Sequence, residues 1–349
     1  MSLTLVTGGT GWLGARLVDV LLRGLPDDPR FATPVSRTLR VLAAPDAPLP
    51  KAFSNVPNLA VVRGDLRTGS GLEELTKDAR GATLFHVAGV IHPQGGIPEL
   101  YAVNVEGTRR LLDAAAAAGV RRVVVVSSNS PLGCNPSPEH AFDEKSPFNP
   151  YMNYGRSKML MEELVAEYQQ GGRLETVIIR PPWFYGVNQP ARQTLFFQMI
   201  RTGKVPIVGS GNNRRSMAYV DNICQGLLLC EQTAAANGQT YWIADRRPYT
   251  MNEIIDTVER LLEREFNYKV AHKRMRLPGL AGDVATVLDA AIQRTGRYHQ
   301  KIHVLSEMNK TIACSIGKAA SELGYEPKID LEEGMRRSIR WCLDNGHTL

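Results

Sequence analysis

Short apolar runs alternate with longer amphipathic stretches through the first half of the chain. Leu3 to Val6 is a compact run, and Leu13, Leu17, Val20, Leu21 and Leu25 then recur near helical spacing. That pattern predicts a strand followed by a helix. The alternation repeats. Residues 39–43, 60–62, 83–89, 123–126 and 177–179 read as further strands. Residues 70–80, 98–118 and 152–170 read as helices, the alanine-rich one at 98–118 stopped by Gly119. Val123 to Val126 has no polar alternation, as expected of a strand buried on both faces. Pro26, Pro29 and Pro34 mark the loop before the second strand, and Pro131, Pro136, Pro138 and Pro147 the one after the fifth. Strands and helices alternating at this spacing predict an α/β fold with a doubly wound parallel sheet, whose ligands bind beyond the carboxyl ends of the strands.

After residue 180 the pattern loosens. Helices are predicted at 191–202, 220–232, 251–264, 281–293 and 332–344, with short strands at 205–208 and 239–243. The expected organisation is a dinucleotide-binding domain over residues 1–180. Residues 181–349 make a smaller, mainly substrate-binding lobe, with some chain crossing back. Leu280, Val284, Val287, Leu288, Ala291 and Ile292 give the 281–293 helix an apolar stripe. The leading reading is core packing; the alternatives are a pocket lid or a membrane-surface contact. Asp283, Asp289 and few basic residues on that face argue against an anionic lipid surface.

Two patterns carry chemistry. The first is Thr7-Gly8-Gly9-Thr10-Gly11-Trp12-Leu13-Gly14, directly after the first apolar run. Gly8 allows the tight turn, Gly11 lets backbone approach a pyrophosphate, and Gly14 lets the helix pack close to the sheet. The helix N-terminus adds free N–H groups and a positive dipole end. The motif in this place predicts a Rossmann-type dinucleotide site. The second pattern is Tyr154-Gly155-Arg156-Ser157-Lys158. Tyr and Lys four apart on a helix share a face. A neighbouring ammonium is expected to lower the phenol pKa, so that Tyr154 exchanges a proton near neutral pH. Ser128, at the tip of the fifth strand, can hydrogen-bond the same substrate oxygen. The three residues would handle a proton while a nicotinamide handles a hydride.

Other features have plainer readings. His86 and His92 lack carboxylate or cysteine company, so no metal site is expected. Pro93-Gln94-Gly95-Gly96 is expected to be a mobile loop over the site. Trp183, Phe184, Phe196 and Phe197 either line a substrate pocket or pack the second lobe. The five cysteines are odd in number and form no CxxC pair, which points away from disulfides and zinc and toward a reducing cytoplasm. The net charge of +6 is spread out, without the basic stripe and interleaved aromatics of a nucleic-acid binder. No apolar run reaches the roughly 18 residues of a membrane span, and a first strand at residue 3 leaves no room for a signal peptide.

Taken together, these stretches resemble the extended short-chain dehydrogenase/reductase family, of the NAD-dependent epimerase/dehydratase type. The resembling residues are the glycine motif, Gly64-Asp65-Leu66, His86-Val87-Ala88-Gly89, Asn104-Val105-Glu106-Gly107-Thr108, Ser127-Ser128, Tyr154 to Lys158 and Arg180-Pro181. Arg215 to Asn222 and Glu322 to Pro327 add to them. The resemblance implies a catalytic triad of Ser128, Tyr154 and Lys158. Lys158 should also hold the nicotinamide ribose, and Asp65 and Leu66 should lie against the adenine. Ala88 and Gly89 should line the cofactor groove, and Asn104 should support the site. Gly8, Thr10, Gly11, Trp12, Leu13, Gly14, Ser127, Tyr154 and Pro181 complete the implied cofactor contacts. Ser128, Asn129, Tyr154, Trp183 and Arg215 are the implied substrate contacts.

Two departures bear on the reading. The second strand should end in an acidic residue for NAD or a basic one for NADP, but Ala43-Ala44-Pro45 stands there, with Asp46 late and Arg37 and Arg40 early. NAD or NADP is expected, with NAD favoured by the loop's likeness to NAD-dependent sugar epimerases. After Arg180, Pro181-Pro182-Trp183-Phe184-Tyr185-Gly186 resembles the 3β-hydroxysteroid dehydrogenase branch. Asn213-Arg214-Arg215-Ser216 resembles the nucleotide-sugar branch, in which an arginine grips the diphosphate. Asn129 and Ser130 stand where a dehydratase would carry Asp-Glu. The expected function is hydride transfer at a hydroxyl or ketone of a nucleotide sugar, by epimerisation or redox. The alternative is a reductase or dehydrogenase of a hydrophobic alcohol or ketone. A non-catalytic cofactor-binding regulator is disfavoured by the intact triad. Relatives often form homodimers through the helices after the fourth and fifth strands.

Overall fold

The structure, a computed structural model, describes residues 2–349. Thirteen strands are β1 (Ser2–Thr7), β2 (Arg37–Ala43), β3 (Leu59–Arg63), β4 (Thr83–His86), β5 (Arg122–Val126), β6 (Glu175–Arg180), β7 (Trp183–Tyr185), β8 (Pro206–Val208), β9 (Arg214–Arg215), β10 (Met217–Tyr219), β11 (Thr240–Trp242), β12 (Tyr249–Thr250) and β13 (Met275–Leu277). The main sheet is parallel, in the order β11-β6-β5-β4-β1-β2-β3. The order reverses between β1 and β4, and ligands of such sheets bind at that switch point.

Alternation along the strands builds two cores. Val124 and Val126 of β5 join a cluster with Leu13, Leu17 and Leu21 of α1 (Trp12–Arg23). Val123 and Val125 face the opposite layer, with Leu111 and Leu112. A period of two with both faces covered is why β5 reads as an unbroken valine run.

Beyond α2 (Leu72–Thr76), the predicted 98–118 helix is three pieces: α3 (Ile97–Tyr101), a π-helical segment Ala102–Gly107, and α4 (Thr108–Ala117). The catalytic-motif helix is α5 (Met152–Gln170). The later helices are α6 (Ala191–Arg201), α7 (Val220–Gln232), α8 (Met251–Arg264), α9 (Leu280–Arg294), α10 (Gln300–Glu307), α11 (Gly317–Leu323) and α12 (Leu331–Asp344). α8 starts on a capping residue: Thr250 accepts from the Glu253 N–H. α7 packs on α1, β5 and β6, and β11 joins the sheet beside β6, so residues 220–242 return to the first layer.

Periodicity missed α10, α11 and the strands β7, β9, β10, β12 and β13, which are too short to show a repeat, whereas β8 and β11 fall inside the predicted 205–208 and 239–243 strands. Core packing of α9 is corrected outright. Its buried positions are Gly282, Ala285, Asp289 and Gln293, and its leucines and valines point to solvent. Among the described residues, no helix is long and apolar enough to cross a membrane.

Candidate active site

The glycine turn is shaped by close approaches. Gly8 has φ +72°, and a Cβ there would lie 2.6 Å from the Ala88 nitrogen. A Cβ on Gly14 would lie 2.0 Å from the Gly8 carbonyl oxygen, so α1 packs against the turn only because residue 14 is glycine. Gly11 differs. It caps α1 with ordinary φ −77°, and a Cβ would meet only the Gly8 oxygen, at 3.3 Å. The space before it is open, as an approaching pyrophosphate requires, so the turn fits a dinucleotide. Thr10 is half-buried beside it, and Leu13 turns into the core. Trp12 reaches across to β7 and the residues after it, donating Nε1–H to the Val187 carbonyl at 2.7 Å and packing on Phe184.

Ser128, Tyr154 and Lys158 converge beyond the carboxyl end of β5, and all three are buried. Glycine again sets the geometry: a Cβ on Gly155 would lie 2.4 Å from the Ser130 carbonyl oxygen, so α5 lies directly on the loop that carries Ser128. Met152, at the start of α5, takes φ +52°, a strained entry into the helix. The Lys158 ammonium donates to the Val126 carbonyl at 3.0 Å, and a Cβ on Gly89 would sit 3.1 Å from it. Burial lowers Lys158 to about 8. Burial pushes the Tyr154 phenol up to about 12, with the Ser128 hydroxyl pulling the other way. The expected lowering of the phenol is therefore corrected: in the protein alone, desolvation outweighs the Ser128 hydrogen bond, and the Glu307 charge adds to the rise.

Supporting residues hold this arrangement. In the π-helical turn, Asn104 Oδ1 accepts from the Val90 N–H at 2.8 Å, and its Nδ2 donates to the Val90 carbonyl and to Ser157 Oγ. One side chain thus ties the loop after Gly89 to α5, and π segments recur at such sites. His86 lies between Thr7 Oγ1 at 2.7 Å and Thr108 Oγ1 at 2.8 Å. Burial pushes it down to about 3, so it is a neutral core histidine. Ser127 donates to Glu162, which is bound by Arg180 at 2.5 Å in a buried ion pair. The Ser127 hydroxyl is thereby engaged away from the groove, leaving its backbone for any cofactor contact.

Other implied contacts are also engaged. The Asp65 carboxylate pairs with Arg67 at 2.6 Å, and Leu66 is buried against Gly107. Ala88 is half-buried, Gly89 is exposed, Pro181 is buried, and Asn129 is half-buried beside Ser128. Trp183 packs edge-on against Phe196. At the end of β2 no carboxylate is positioned. Arg63, in register with Ala43, donates to the Ala44 and Ala47 carbonyls, while Arg40 caps the end of α2 and Arg37 pairs with Glu231. Arg214 and Arg215 form β9. Arg214 is held by the Pro138 and His140 carbonyls, and Arg215 donates to the Glu307 carbonyl at 3.0 Å with its Nε buried and unpartnered.

A polar roof lies over Tyr154, and sequence reasoning missed it. Asp289 of α9 accepts from His303 of α10 at 2.7 Å, and Gln293 accepts from the Asn153 N–H at the start of α5. Burial alone would lower His303, but the Asp289 hydrogen bond and the charges of Glu307 and Asp289 hold it above its ordinary value. Tyr298 packs beside Tyr154 and bonds His92 at 2.7 Å. The Glu307 carboxylate acts on Tyr151, Tyr154, Tyr298 and Cys134 together. His303 and Glu307 are four apart, a spacing that puts both on one helical face and could have marked α10. The loop expected to be mobile, Pro93 to Gly96, is closed locally by the Gly95 N–H donating to Glu99 of α3, and the next residue ties to this roof, the Ile97 N–H donating to the Gly296 carbonyl.

A glycine turn at the sheet's switch point, facing a buried Tyr–Lys pair on the adjoining helix, defines a nicotinamide-dinucleotide enzyme of the short-chain dehydrogenase/reductase type. The chain belongs to the NAD dependent epimerase/dehydratase family, whose sequence profile matches residues 4–244. It is 51% identical over 349 residues to the Sinorhizobium fredii protein y4nL, covering 99% of this chain and 96% of that one. It is 34% identical over 247 residues to the Escherichia coli O157:H7 N-acetyl-alpha-D-glucosaminyl-diphospho-ditrans,octacis-undecaprenol 4-epimerase, covering 69% and 71%. It is 29% identical over 366 residues to the Mycolicibacterium neoaurum 3-beta-hydroxysteroid dehydrogenase, covering 97% and 91%. Among solved structures, it is similar to the dTDP-glucose 4,6-dehydratase DesIV of Streptomyces venezuelae with NAD bound. There the TM-score is 0.74 at 26% identity, covering 99% and 98%.

Proposed function

We propose that the protein transfers a hydride at a hydroxyl or ketone carbon of a nucleotide sugar, as an epimerase or a simple oxidoreductase, with NAD as its cofactor. The convergence of Ser128, Tyr154 and Lys158 beyond β5, facing the open side of the glycine turn, carries this reading. A bound nicotinamide supplies the hydride acceptor or donor and, when oxidised, a positive charge. The turn from Gly8 to Gly14 would hold the pyrophosphate, and Lys158 has donors beyond the one it gives Val126 for ribose hydroxyls. Tyr154 moves the proton. Its phenol is protonated in the protein alone, so donation from Tyr154 Oη to a carbonyl oxygen needs no prior ionisation. Oxidation runs the same transfer backwards, with Ser128 holding the substrate oxygen. Asn129 and Ser130 bring no acid pair for eliminating water, which favours epimerisation or redox over dehydration.

The diphosphate of the substrate is assigned to Arg215, whose Nε is left without a partner. Two copies pairing in a cytoplasmic setting belong to the same reading, and sedimentation at micromolar concentration tests the pairing. The second reading, a hydrophobic alcohol or ketone, draws on the similarity to the 3-beta-hydroxysteroid dehydrogenase and on the Trp183–Tyr185 strand after Pro181-Pro182. Calorimetry with UDP, GDP and dTDP decides between them. At least one should bind, and Arg215→Ala should weaken it by roughly tenfold, about 1.4 kcal/mol. Absence of binding, or equal binding by the variant, hands the case to the hydrophobic substrate.

A further inference from the structure

Helix α9 is built inside out. Its protein-facing side carries Gly282, Ala285, Asp289 and Gln293, spaced three or four residues apart. Its outer side carries Leu280, Val284, Val287 and Leu288, which are between 50% and 70% exposed. Exposed Val304 on the adjoining α10 and Met275 on β13 accompany them. Burying a large aliphatic side chain is worth about 1.5–3 kcal/mol, so four left bare along one helix face mark a surface that something covers. The outward positions of α4 and α5 are different in kind: Arg109, Arg110, Asp113, Arg156, Glu163 and Glu167.

The surroundings of the stripe identify the occupant. Arg276 stands exposed four residues before Leu280, and Arg294, Arg297 and Lys301 stand exposed at the other end. Between Lys269 and Lys301 the chain holds seven Lys or Arg and two Asp. Neither aspartate opposes an anionic surface. Asp289 is buried against His303, and Asp283 is paired with Lys310 at 2.6 Å. The argument from those two acids against an anionic lipid surface is thereby corrected. A second copy seated here by a two-fold axis would set Arg276 of each against Arg294 or Arg297 of the other if the helices ran antiparallel, and matching basic ends together if they ran parallel, and like charges disfavour either.

We propose that α9 docks the protein on the surface of an anionic lipid bilayer. The aliphatic stripe lies at the boundary of headgroups and acyl chains, and Arg276, Arg294, Arg297 and Lys301 lie on anionic headgroups. The inner face of the same helix holds His303 and the start of α5, so docking sets the roof over Tyr154 at the bilayer surface. The proposal does not rest on the substrate reading.

Flotation of the full chain with vesicles tests it. The protein should float with vesicles of phosphatidylglycerol and phosphatidylcholine, less at high salt, and not with phosphatidylcholine alone. Val287→Asp with Leu288→Asp should reduce partitioning by roughly tenfold or more, and Arg294→Glu with Arg297→Glu should reduce it comparably. These positions are exposed, so an unchanged thermal melt and unchanged dinucleotide binding should accompany the loss. Three results overturn the proposal. One is no flotation with anionic vesicles, and another is equal flotation of wild type and variants. The third is self-association that Val287→Asp abolishes, without vesicle binding, which would show that a second copy covers the stripe.

Discussion

Lys158 makes the native state pay for its active site, and Lys158→Met should reveal how much. The ammonium is buried, bonded to the Val126 carbonyl at 3.0 Å, and lowered from 10.5 to about 8. The folded state therefore holds this proton less tightly than the unfolded state does. Between pH 8 and 10.5 the unfolded chain binds more protons, so stability rises with pH across that window. Below pH 8 the full penalty applies, about 3 kcal/mol at roughly 1.4 kcal/mol per tenfold change. Methionine has a similar length and an apolar end, next to Met161. Replacement removes the buried charge and forfeits one hydrogen bond from a charged group, worth about 1.5 kcal/mol or more, leaving a net gain of up to about 1.5 kcal/mol at pH 7. Urea unfolding without added cofactor, at pH 7 and pH 10 for both proteins, measures it. Other titrating groups cancel in the difference between the two. The variant should be more stable at pH 7, the gap should close toward pH 10, and dinucleotide binding should weaken. A variant no more stable at pH 7, or a gap independent of pH, refutes the argument that burial of this lysine is a cost borne for function.

Three further predictions follow from the same geometry. Tyr154→Phe keeps the ring against Ile97 and Leu100 and should cut turnover by about 10²–10⁴-fold with dinucleotide affinity unchanged; turnover near wild type would remove Tyr154 from the chemistry. Gly11→Val should leave circular dichroism intact and abolish dinucleotide binding, because its Cβ meets only the Gly8 oxygen at 3.3 Å, whereas Gly14→Ala, at 2.0 Å, should deform the turn itself; retained binding by Gly11→Val would move the cofactor elsewhere. Burial lifts Asp245 to about 7, so the folded state keeps a proton that the unfolded state loses, and stability should fall by up to about 4 kcal/mol between pH 4 and 7. Asp245→Asn, which can keep the bonds to Tyr219, Asn222 and Tyr185, should abolish that fall in thermal melts.

The first half of the chain was legible because its physics is local. A glycine pattern, a valine run and a Tyr–Lys spacing each imply their structure within a few residues of themselves, and β1, α1, β5 and α5 follow them closely. Where a side chain spends its hydrogen bonds was not legible. Ser127 and Asp65 sit in the expected places, but Glu162 and Arg67 engage them. The phenol of Tyr154 shows the same limit, since its burial depends on Ile97, Leu100 and Tyr298, which come from other elements. The sharpest failure was α9. An apolar stripe gives the same periodicity whether it faces the core or solvent, and only the partners of Asp289 and Gln293 fix which side turns inward.

The charges around the roof separate the two substrate readings when Glu307 is tested together with Arg215. Glu307 and Arg215 act on Cys134 in opposite directions, so a carboxylate and a guanidinium share this end of the cleft. A diphosphate lying against Arg215 would feel the Glu307 carboxylate as a like charge. At a separation of about 8 Å and an effective dielectric near 40, that repulsion is worth about 1 kcal/mol, or roughly fivefold in affinity. Glu307→Gln keeps the shape of the side chain and removes the charge. It should therefore tighten nucleoside diphosphate binding about fivefold, while Arg215→Ala loosens it. A steroid-like alcohol carries no charge and should respond to neither change by more than a small packing effect. Opposite signs from the two variants, both diminished at high salt, identify an anionic substrate group at this end of the cleft. Equal, salt-independent responses would place the diphosphate elsewhere and leave Glu307 acting only on its protein neighbours, Tyr151, Tyr154, Tyr298, Cys134 and His303.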